Sequence, residues 1–310
     1  MNYIFLICAR KIFQHKPLIL NSPEKADIPS ELTILHPQSR TGFVRQYRTM
    51  LNNLQSYSFF TKQLVRISIL KDFKRSYIGL LWLFILPILS VISWIMLNGA
   101  GIIDPGNTTI PYPAYVLLST SIWGFFVGIY QSTSNVLRNR KNMITMACFP
   151  HEVLVLEKIW VHLIRFTIPF AINVVVLLLF GIHFTWAALL FPLTLLPLLI
   201  LGVGIGLIIS LFRIVAVDIA QLFDRGIGFL MFLTPIIYTD EVKIKWLSSI
   251  IAYNPLTYLI GFSRDVLTRG TFFEPTNYGI CVLFTFVFFL VAVRIFLNGE
   301  PRVIERLISN

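Results

Sequence analysis

The sequence predicts an all-α integral membrane protein with six transmembrane helices. Of its 310 residues, 56% are hydrophobic and only 13% are charged, and the mean hydropathy is +0.75. This composition is too apolar for a soluble domain and is typical of a polytopic membrane protein. Uncharged stretches of about twenty residues, the length that crosses a bilayer as a helix, recur along the chain. The formal net charge of +11 fits the excess of Lys and Arg in cytoplasmic loops, so nucleic-acid binding is not indicated.

Span one has the clearest boundary. A basic stretch leads directly into an uncharged segment that continues to about Asn98, which predicts a span over Tyr77–Asn98. Positive charges at one end of a span hold that end in the cytoplasm. Residues 1–76 are therefore predicted to form a cytoplasmic N-terminal region. The residues that mark the approach to the membrane are Lys71, Lys74, Arg75 and Trp82.

The last part of this N-terminal region has helical periodicity. From Thr41 to Arg75, apolar residues such as Phe59 and Leu64 alternate with cations such as Lys62 at spacings of three and four. The pattern predicts an amphipathic interfacial helix along the inner membrane surface. The alternative is a soluble helix packed on a partner.

The remaining spans follow from further uncharged runs. They are predicted at 114–132, 161–181, 186–212, 226–239 and 278–297, which gives a transmembrane domain over 77–297 and a cytoplasmic tail over 298–310. The fifth run is short for a straight span. Another run, 246–263, is interrupted by Asn254-Pro255, and proline disfavours helix in the residue before it. We therefore expect re-entrant helices on the outer side here, although a seventh span fits the Lys and Arg distribution almost as well.

Several function classes lack their motifs. No G-x-x-x-x-G-K-[ST] occurs, and Gly202, Gly204 and Gly206 lie inside a hydrophobic run, where glycines serve close helix packing. The three cysteines are scattered and fit neither a disulfide framework nor a metal site. No nucleophile–base pair is recognisable, so neither an enzyme nor a metal centre is predicted.

Aromatic side chains in the middle of spans are candidates for a conduit lining. Rings that face a conduit can stack on sugar faces, whereas rings that face lipid or the core serve packing. Both interpretations remain open for Trp123, Phe125, Phe126, Tyr130, Phe229, Phe232 and Tyr238.

Five short motifs appear in a characteristic order. They are Lys71-Asp72-Phe73-Lys74-Arg75, Gly79-Leu80-Leu81-Trp82 with Pro87, Asn135-Val136-Leu137 through Phe149-Pro150, Thr234-Pro235-Ile236-Ile237-Tyr238, and Asn254-Pro255-Leu256 with Arg264 and Gly270. In this order the chain resembles the membrane subunit of a bacterial type-2 ATP-binding-cassette exporter of polysaccharide, a class that handles O-antigen, capsular polysaccharide and teichoic acid.

The sequence departs from that family at two places. Arg75 and Tyr77 are separated by Ser76 where the family has Arg-Tyr adjacent, and the family's Arg-Asp after span four appears as Val217-Asp218, with Arg213 upstream. These departures bear on local contacts.

The resemblance implies a permease that is not itself an enzyme. It would form a homodimer in the bacterial inner membrane with both termini cytoplasmic, pair with two ATPase subunits and move a lipid-linked glycan. It would bind no cofactor, because ATP and Mg²⁺ belong to the partner.

The resemblance also suggests two sites. The loop after span two would couple to the ATPase, or serve only as a positive anchor; its candidates are Arg138, Arg140, Lys141, Phe149, Pro150, His151 and Glu152. The helices before span six would form an outer gate; its candidates are Tyr253, Asn254, Pro255, Arg264 and Arg269. The two arginines would meet an anionic glycan or lipid phosphate, or pair with Asp265 and Glu274.

Two other functions remain open from the sequence. One is a type-2 exporter of small hydrophobic compounds, which a narrow aliphatic conduit would favour. The other is an integral membrane glycosyltransferase or acyltransferase, which would need acidic or histidine groups clustered at one interface.

Overall fold

The computed structural model describes residues 42–75, 85, 88–89, 92–102, 106–108, 110–146, 149–239 and 244–309. The N-terminal residues 1–41 and most of predicted span one, including Trp82, lie outside the described residues, as do the side chains of Lys74 and Arg75. Within the described residues the chain is helical and contains no strand, in agreement with the predicted all-α class.

The helices are labelled in chain order. They are α1 (Phe43–Ser56), α2 (Ser58–Arg75), α3 (Tyr112–Ser134), α4 (Val136–Asn139), α5 (Lys141–Met146), α6 (Glu152–Leu179), a 3-10 turn (Trp186–Leu190), α7 (Phe191–Thr194), α8 (Leu196–Val215), α9 (Val217–Leu230), α10 (Lys245–Tyr253), α11 (Pro255–Thr268) and α12 (Pro275–Ser309). Residues 92–99 are also helical.

Four helical segments among the described residues are long and apolar enough to cross a membrane. They are Tyr112–Ser134, Glu152–Leu179, Trp186–Val215 and Pro275–Arg306. These correspond to predicted spans two, three, four and six. We compared the share of buried residues in the most apolar stretch of each segment. This share is 61% in α3 and 72% in Trp186–Val215, but only 17% in α6 and 28% in α12. The core of the bundle is therefore the pair α3 and α8, and α6 and α12 flank it.

The glycines of α8 bring this helix against its neighbours. A Cβ added at Gly206 would lie 2.7 Å from Thr133 Cβ and 3.0 Å from the Tyr130 carbonyl oxygen, and one at Gly202 would lie 2.5 Å from Ile129 Cγ2. On the opposite side, a Cβ at Gly204 would lie 3.2 Å from the Phe288 ring of α12. The prediction that these glycines serve close helix packing is confirmed.

Predicted span five has a different structure from a straight crossing. Helix α9 begins at Val217, includes Asp224 and Arg225, and ends at Leu230, after which residues 231–239 form turns and bends. Two causes are visible. Asp224 is half-buried and paired with Arg213, so its charge does not end the helix, and Pro235 has no N–H to donate to a helix that continued through it. The apolar run 226–239 is thus half helix and half irregular backbone.

Helices α10 and α11 meet at Asn254, as the sequence predicts for the break. The Asn254 Oδ1 atom accepts a hydrogen bond from the Leu256 backbone N at 3.0 Å, and Pro255 occupies the first position of α11. An asparagine cap followed by proline starts a helix favourably. Two separate helices therefore replace the continuous run.

The predicted N-terminal helix is two helices, α1 and α2, separated at Tyr57. The distribution of its apolar residues is also different from the prediction. Thr61 and Leu64 are buried and Phe60 packs against the core, whereas Phe59, Ile67 and Leu70 are exposed on the side that carries the cations. The reason is that α2 packs on α6, so tertiary packing takes one part of the apolar set and leaves the other part uncovered.

Candidate functional site

Polar contacts between distant parts of the chain collect at two opposite ends of the helical bundle. The charged end contains the ion pairs Arg140–Glu157 and Arg213–Asp224 and the contact between His151 and Glu300, near the end of α3, the start of α6 and the ends of α8 and α12. The tyrosine end contains Tyr112, Tyr115, Asn254 and Arg264, near the start of α3, residues 231–239 and the helices α10 and α11.

Glu157 is the centre of the first network at the charged end. Its side chain is fully buried, and its Oε1 accepts hydrogen bonds from Ser68 Oγ at 2.6 Å and Arg140 Nη2 at 3.0 Å. Lys158 Nζ lies 3.1 Å from the other carboxylate oxygen. Since Ser68 belongs to α2, Arg140 to the loop after span two and Glu157 to α6, one carboxylate joins three elements. A buried carboxylate is stable only when it is paired in this way.

Arg213 and Asp224 form the second network. The Arg213 guanidinium donates to both Asp224 oxygens, at 2.9 and 2.8 Å, and also to Ser134 Oγ at 3.0 Å. The Tyr130 hydroxyl donates to Asp224 at 2.7 Å. A two-pronged arginine–carboxylate pair is both strong and geometrically specific. It fixes the end of α8 and the middle of α9 to the end of α3.

The third group of contacts joins the N-terminal helices and the C-terminal helix to the same end. His151 Nδ1 contacts Glu300 Oε1, and Gln46 donates to Asn298 at 2.9 Å. The Tyr47 hydroxyl donates to the Leu290 carbonyl; burial raises the pKa of this phenol, against an opposing effect of the Arg294 charge, so it is a neutral donor.

The candidate coupling loop has an anchored part and a free part. Arg140 is tied to Glu157, and Phe149 packs edge-on against Phe60 of α2 with ring centroids 5.4 Å apart. Arg138 and Lys141 are exposed. Pro150 and His151 are half-buried before α6, and Glu152, at the first position of α6, is also half-buried. The loop is therefore attached to the bundle and presents two cations outward.

At the tyrosine end, hydroxyl and amide groups satisfy the irregular backbone of 231–239. The Tyr115 hydroxyl donates to the carbonyl of Tyr238 at 2.9 Å, and the Tyr112 hydroxyl donates to that of Ile237 at 3.2 Å. Asn254 Nδ2 donates to Thr234 Oγ1 at 2.8 Å. These contacts replace the hydrogen bonds that a helix would have supplied, as non-helical backbone inside a membrane protein requires.

Arg264 was expected to be accessible to a glycan or a lipid phosphate, and it is instead covered by the protein. It is buried, with its guanidinium carbon 4.3 Å from the centroid of the Tyr115 ring and its Nε 3.5 Å from Asp265 Oδ1. The alternative that it pairs with Asp265 agrees with this geometry. Arg269 is exposed, and Tyr253 has 89% of its surface exposed. An open recess of about 370 Å³ lies beside Tyr253 and Asn254.

The conduit candidates separate into two groups. Trp123, Phe125, Phe126 and Tyr130 are buried inside the protomer, and Phe125 packs against Phe166 of α6 with centroids 4.6 Å apart. These rings therefore pack against other side chains within the bundle. Phe229 and Phe232 are 61% and 53% exposed, and Tyr238 is half-buried.

Sequence reasoning did not identify the residues that organise both ends. Glu157, Ser68 and Tyr115 belong to no motif, and Asp224 and Arg225 are charges that directly precede the short fifth run. A charge next to an apolar run signals an internal partner, but the partner's position along the chain depends on helix packing.

The helical fold and the contacts at its two ends define a class of protein. It is a multi-pass helical membrane protein whose polar contacts are concentrated at both ends, without a recognised catalytic constellation in the part that the structure describes.

Comparison with known families and proteins agrees with this class. Residues 60–268 match the family model of the ABC-2 type transporter. The chain therefore belongs to the ABC-2 type transporter family, and it is a transport protein of the membrane.

Three relatives are named "O-antigen export system permease protein RfbA". One from Klebsiella pneumoniae is 24% identical over 204 residues, covering 64% of this chain and 76% of the relative. One from Myxococcus xanthus is 22% identical over 217 residues, covering 68% and 81%. A second from Klebsiella pneumoniae is 22% identical over 241 residues, covering 75% and 89%.

Proposed function

We propose that this chain is the permease of an ATP-driven exporter that moves a lipid-linked polysaccharide of the O-antigen kind across the bacterial inner membrane. The observation that carries the proposal is the similarity to three O-antigen export permeases over 76% to 89% of their own lengths. Capsular polysaccharide and teichoic acid carriers are chemically related cargo and belong to the same proposal. We propose further that the charged end and both termini face the cytoplasm and that the tyrosine end faces the outside.

The conduit in this proposal lies between two copies of the chain. Helix α9 presents an uncovered apolar face, with Leu222 70% exposed and Phe229 61% exposed. A second copy would cover part of this face. The rings of Phe229 and Phe232 are exposed, with their centroids 6.5 Å apart, and would then face the glycan. The conduit candidates that are buried within the protomer cannot reach it.

Two ATPase subunits, which bind ATP and Mg²⁺, would act on the charged end. The exposed cations Arg138 and Lys141 are available for docking, while Arg140 connects the same loop to Glu157 and α2. A push on the loop would therefore reach α2 and α6 together. Transport needs an element whose two states nucleotide binding favours differently, and this connected end supplies it.

Docking can be tested without disturbing the fold. Lys141→Glu should weaken co-purification of the ATPase subunit and lower ATP turnover by the complex, because an exposed cation at the contact is reversed. Glu152→Lys should reduce the transport obtained per ATP. The matched control is Glu274→Lys, an exposed charge reversal at the tyrosine end. Unchanged ATPase association in Lys141→Glu would place the docking surface elsewhere.

The cargo is tested in cells that lack this gene. We expect lipid-linked glycan to accumulate on the cytoplasmic side and to disappear from the surface, and complementation should reverse both effects. Normal surface glycan together with lost resistance to hydrophobic compounds would overturn the glycan assignment.

A further inference from the structure

The exposed side of the N-terminal helix pair has an unusual composition. In α1, Val44, Arg48 and Leu51 share one face at spacings of four and three, and all three are exposed. In α2, three apolar side chains and three cations are exposed together. They are Phe59, Lys62, Arg66, Ile67, Leu70 and Lys71.

This side is distinct from the one that packs against the bundle. Thr61 and Leu64 are 3% and 6% exposed, and Ser68 bonds to Glu157 of α6. By contrast, Phe59 is 72% exposed and Ile67 is 57% exposed. An apolar side chain that is uncovered beside a cation is unfavourable in water, whereas at the headgroup level of a bilayer both groups are solvated.

The charge of the helix pair is mostly positive. Five Lys and Arg lie between Phe43 and Lys71, and the first acidic residue of the pair is Asp72, near the end of α2. None of the five forms an ion pair with another described residue. Uncompensated cations that alternate with large apolar side chains complement an anionic lipid surface, where phosphate groups meet the cations and acyl chains meet the apolar groups.

The position in the chain favours lipid over a protein partner. Helix α2 ends at Arg75, and the apolar run of predicted span one begins at Tyr77. The end of α2 must therefore lie at the membrane surface, which brings Ile67, Leu70 and Lys71 to the depth of the headgroups.

We propose that the exposed side of α1 and α2 is a binding surface for anionic phospholipid headgroups of the inner leaflet. Phe59, Ile67 and Leu70 insert below the phosphates, and Lys62, Arg66 and Lys71 bind them. The surface positions α2, and through Ser68 it positions the Glu157 network, so the lipid composition of the inner leaflet acts on the coupling region.

The test uses the full chain in lipid nanodiscs, without ATP or glycan, so its outcome is independent of the proposed cargo. A nitroxide is attached at Phe59→Cys in a background that lacks Cys8, Cys148 and Cys281. Collision with oxygen, which concentrates in lipid, is compared with collision with a water-soluble nickel chelate. Nanodiscs contain phosphatidylcholine alone or mixed with phosphatidylglycerol.

We expect the oxygen-to-nickel collision ratio to rise several-fold when phosphatidylglycerol is present, since each cation near an anionic surface contributes roughly fivefold. Replacing Lys62, Arg66 and Lys71 by Gln should remove this rise, and exchanging Lys for Arg and Arg for Lys at the same positions should preserve it. The matched control removes the same charge at Lys245, Arg269 and Arg302 and should leave the rise unchanged.

Two outcomes would overturn the proposal. If the nitroxide collides more often with the nickel chelate than with oxygen in both lipid mixtures, this side of the helices lies in water. Nickel access that is lost only when the ATPase subunit is added, whatever the lipid, would assign the surface to a protein partner.

Discussion

The two ends of the bundle use different chemistry to hold distant segments together. At the charged end, Glu157 and Asp224 bind arginines from other elements, with oxygen–nitrogen distances of 2.8 to 3.0 Å. At the tyrosine end, the hydroxyls of Tyr112 and Tyr115 donate to backbone carbonyls at 2.9 to 3.2 Å, and the buried cation Arg264 lies over a ring.

The difference has a physical consequence. Removing one partner of a buried ion pair leaves an uncompensated charge, which costs about 3–5 kcal/mol, whereas a neutral hydrogen bond contributes about 1 kcal/mol. The ion pairs therefore hold the elements of the charged end together as one connected unit. At the tyrosine end the hydroxyl–carbonyl contacts can exchange partners at small cost, whereas the buried pair Arg264–Asp265 cannot.

The largest effect is expected at Glu157. Glu157→Ala should lower the free energy of unfolding by about 3 kcal/mol, because Arg140 and Lys158 lose their partner inside the protein. Thermal unfolding of the purified protein measures the loss. Adding Arg140→Met should recover part of it, since the unpaired cation is then also removed. Purely additive losses would show that the two residues do not interact.

Asp224 should give a somewhat smaller effect. Asp224→Asn keeps the shape but removes the charge that pairs with Arg213, and we expect a loss of about 2 kcal/mol in unfolding free energy. Asp218→Asn, on the same helix but exposed, is the matched control and should change stability by less than about 0.5 kcal/mol. Equal losses of unfolding free energy in the two variants would show that the Arg213–Asp224 pair stabilises the protein no more than a surface charge does.

The smallest effect is expected at the tyrosine end. Tyr115→Phe keeps the ring under Arg264 but removes the hydrogen bond to the Tyr238 carbonyl, which should cost about 1 kcal/mol. Tyr253→Phe removes a hydroxyl from a side chain that is 89% exposed and should leave stability unchanged. A loss at Tyr115 as large as that at Glu157 would contradict the comparison between the ends.

Much of the fold could be predicted from the sequence, because long apolar runs must be helices in a membrane. Four of the six predicted spans correspond to segments that meet the criteria for crossing, and the break at Asn254 is where the proline places it. The six-span count itself remains a prediction, since most of span one lies outside the described residues and span five is part helix and part irregular backbone.

The sites were less predictable, because their partners are distant in sequence. Arg264 was expected to be accessible to headgroups or glycan, but it is buried against the ring of Tyr115, 149 positions earlier in the chain, which no local pattern indicates. Tyr130 was considered a conduit ring, and its hydroxyl instead binds Asp224. Phe229 is exposed and Phe125 is buried, although both are aromatic residues in apolar runs and were predicted as equal candidates.

The proposed export of lipid-linked glycan can be measured with the assembled transporter. The permease and its ATPase would be reconstituted in vesicles with the ATPase outside and lipid-linked glycan in the outer leaflet. The measurement is the fraction of glycan that becomes protected from a membrane-impermeant oxidant. If the chain exports glycan at the expense of ATP, the protected fraction rises with ATP and Mg²⁺ and does not rise with a non-hydrolysable analogue. ATP hydrolysis without any gain in protected glycan, with a small hydrophobic compound transported instead, would contradict the proposal.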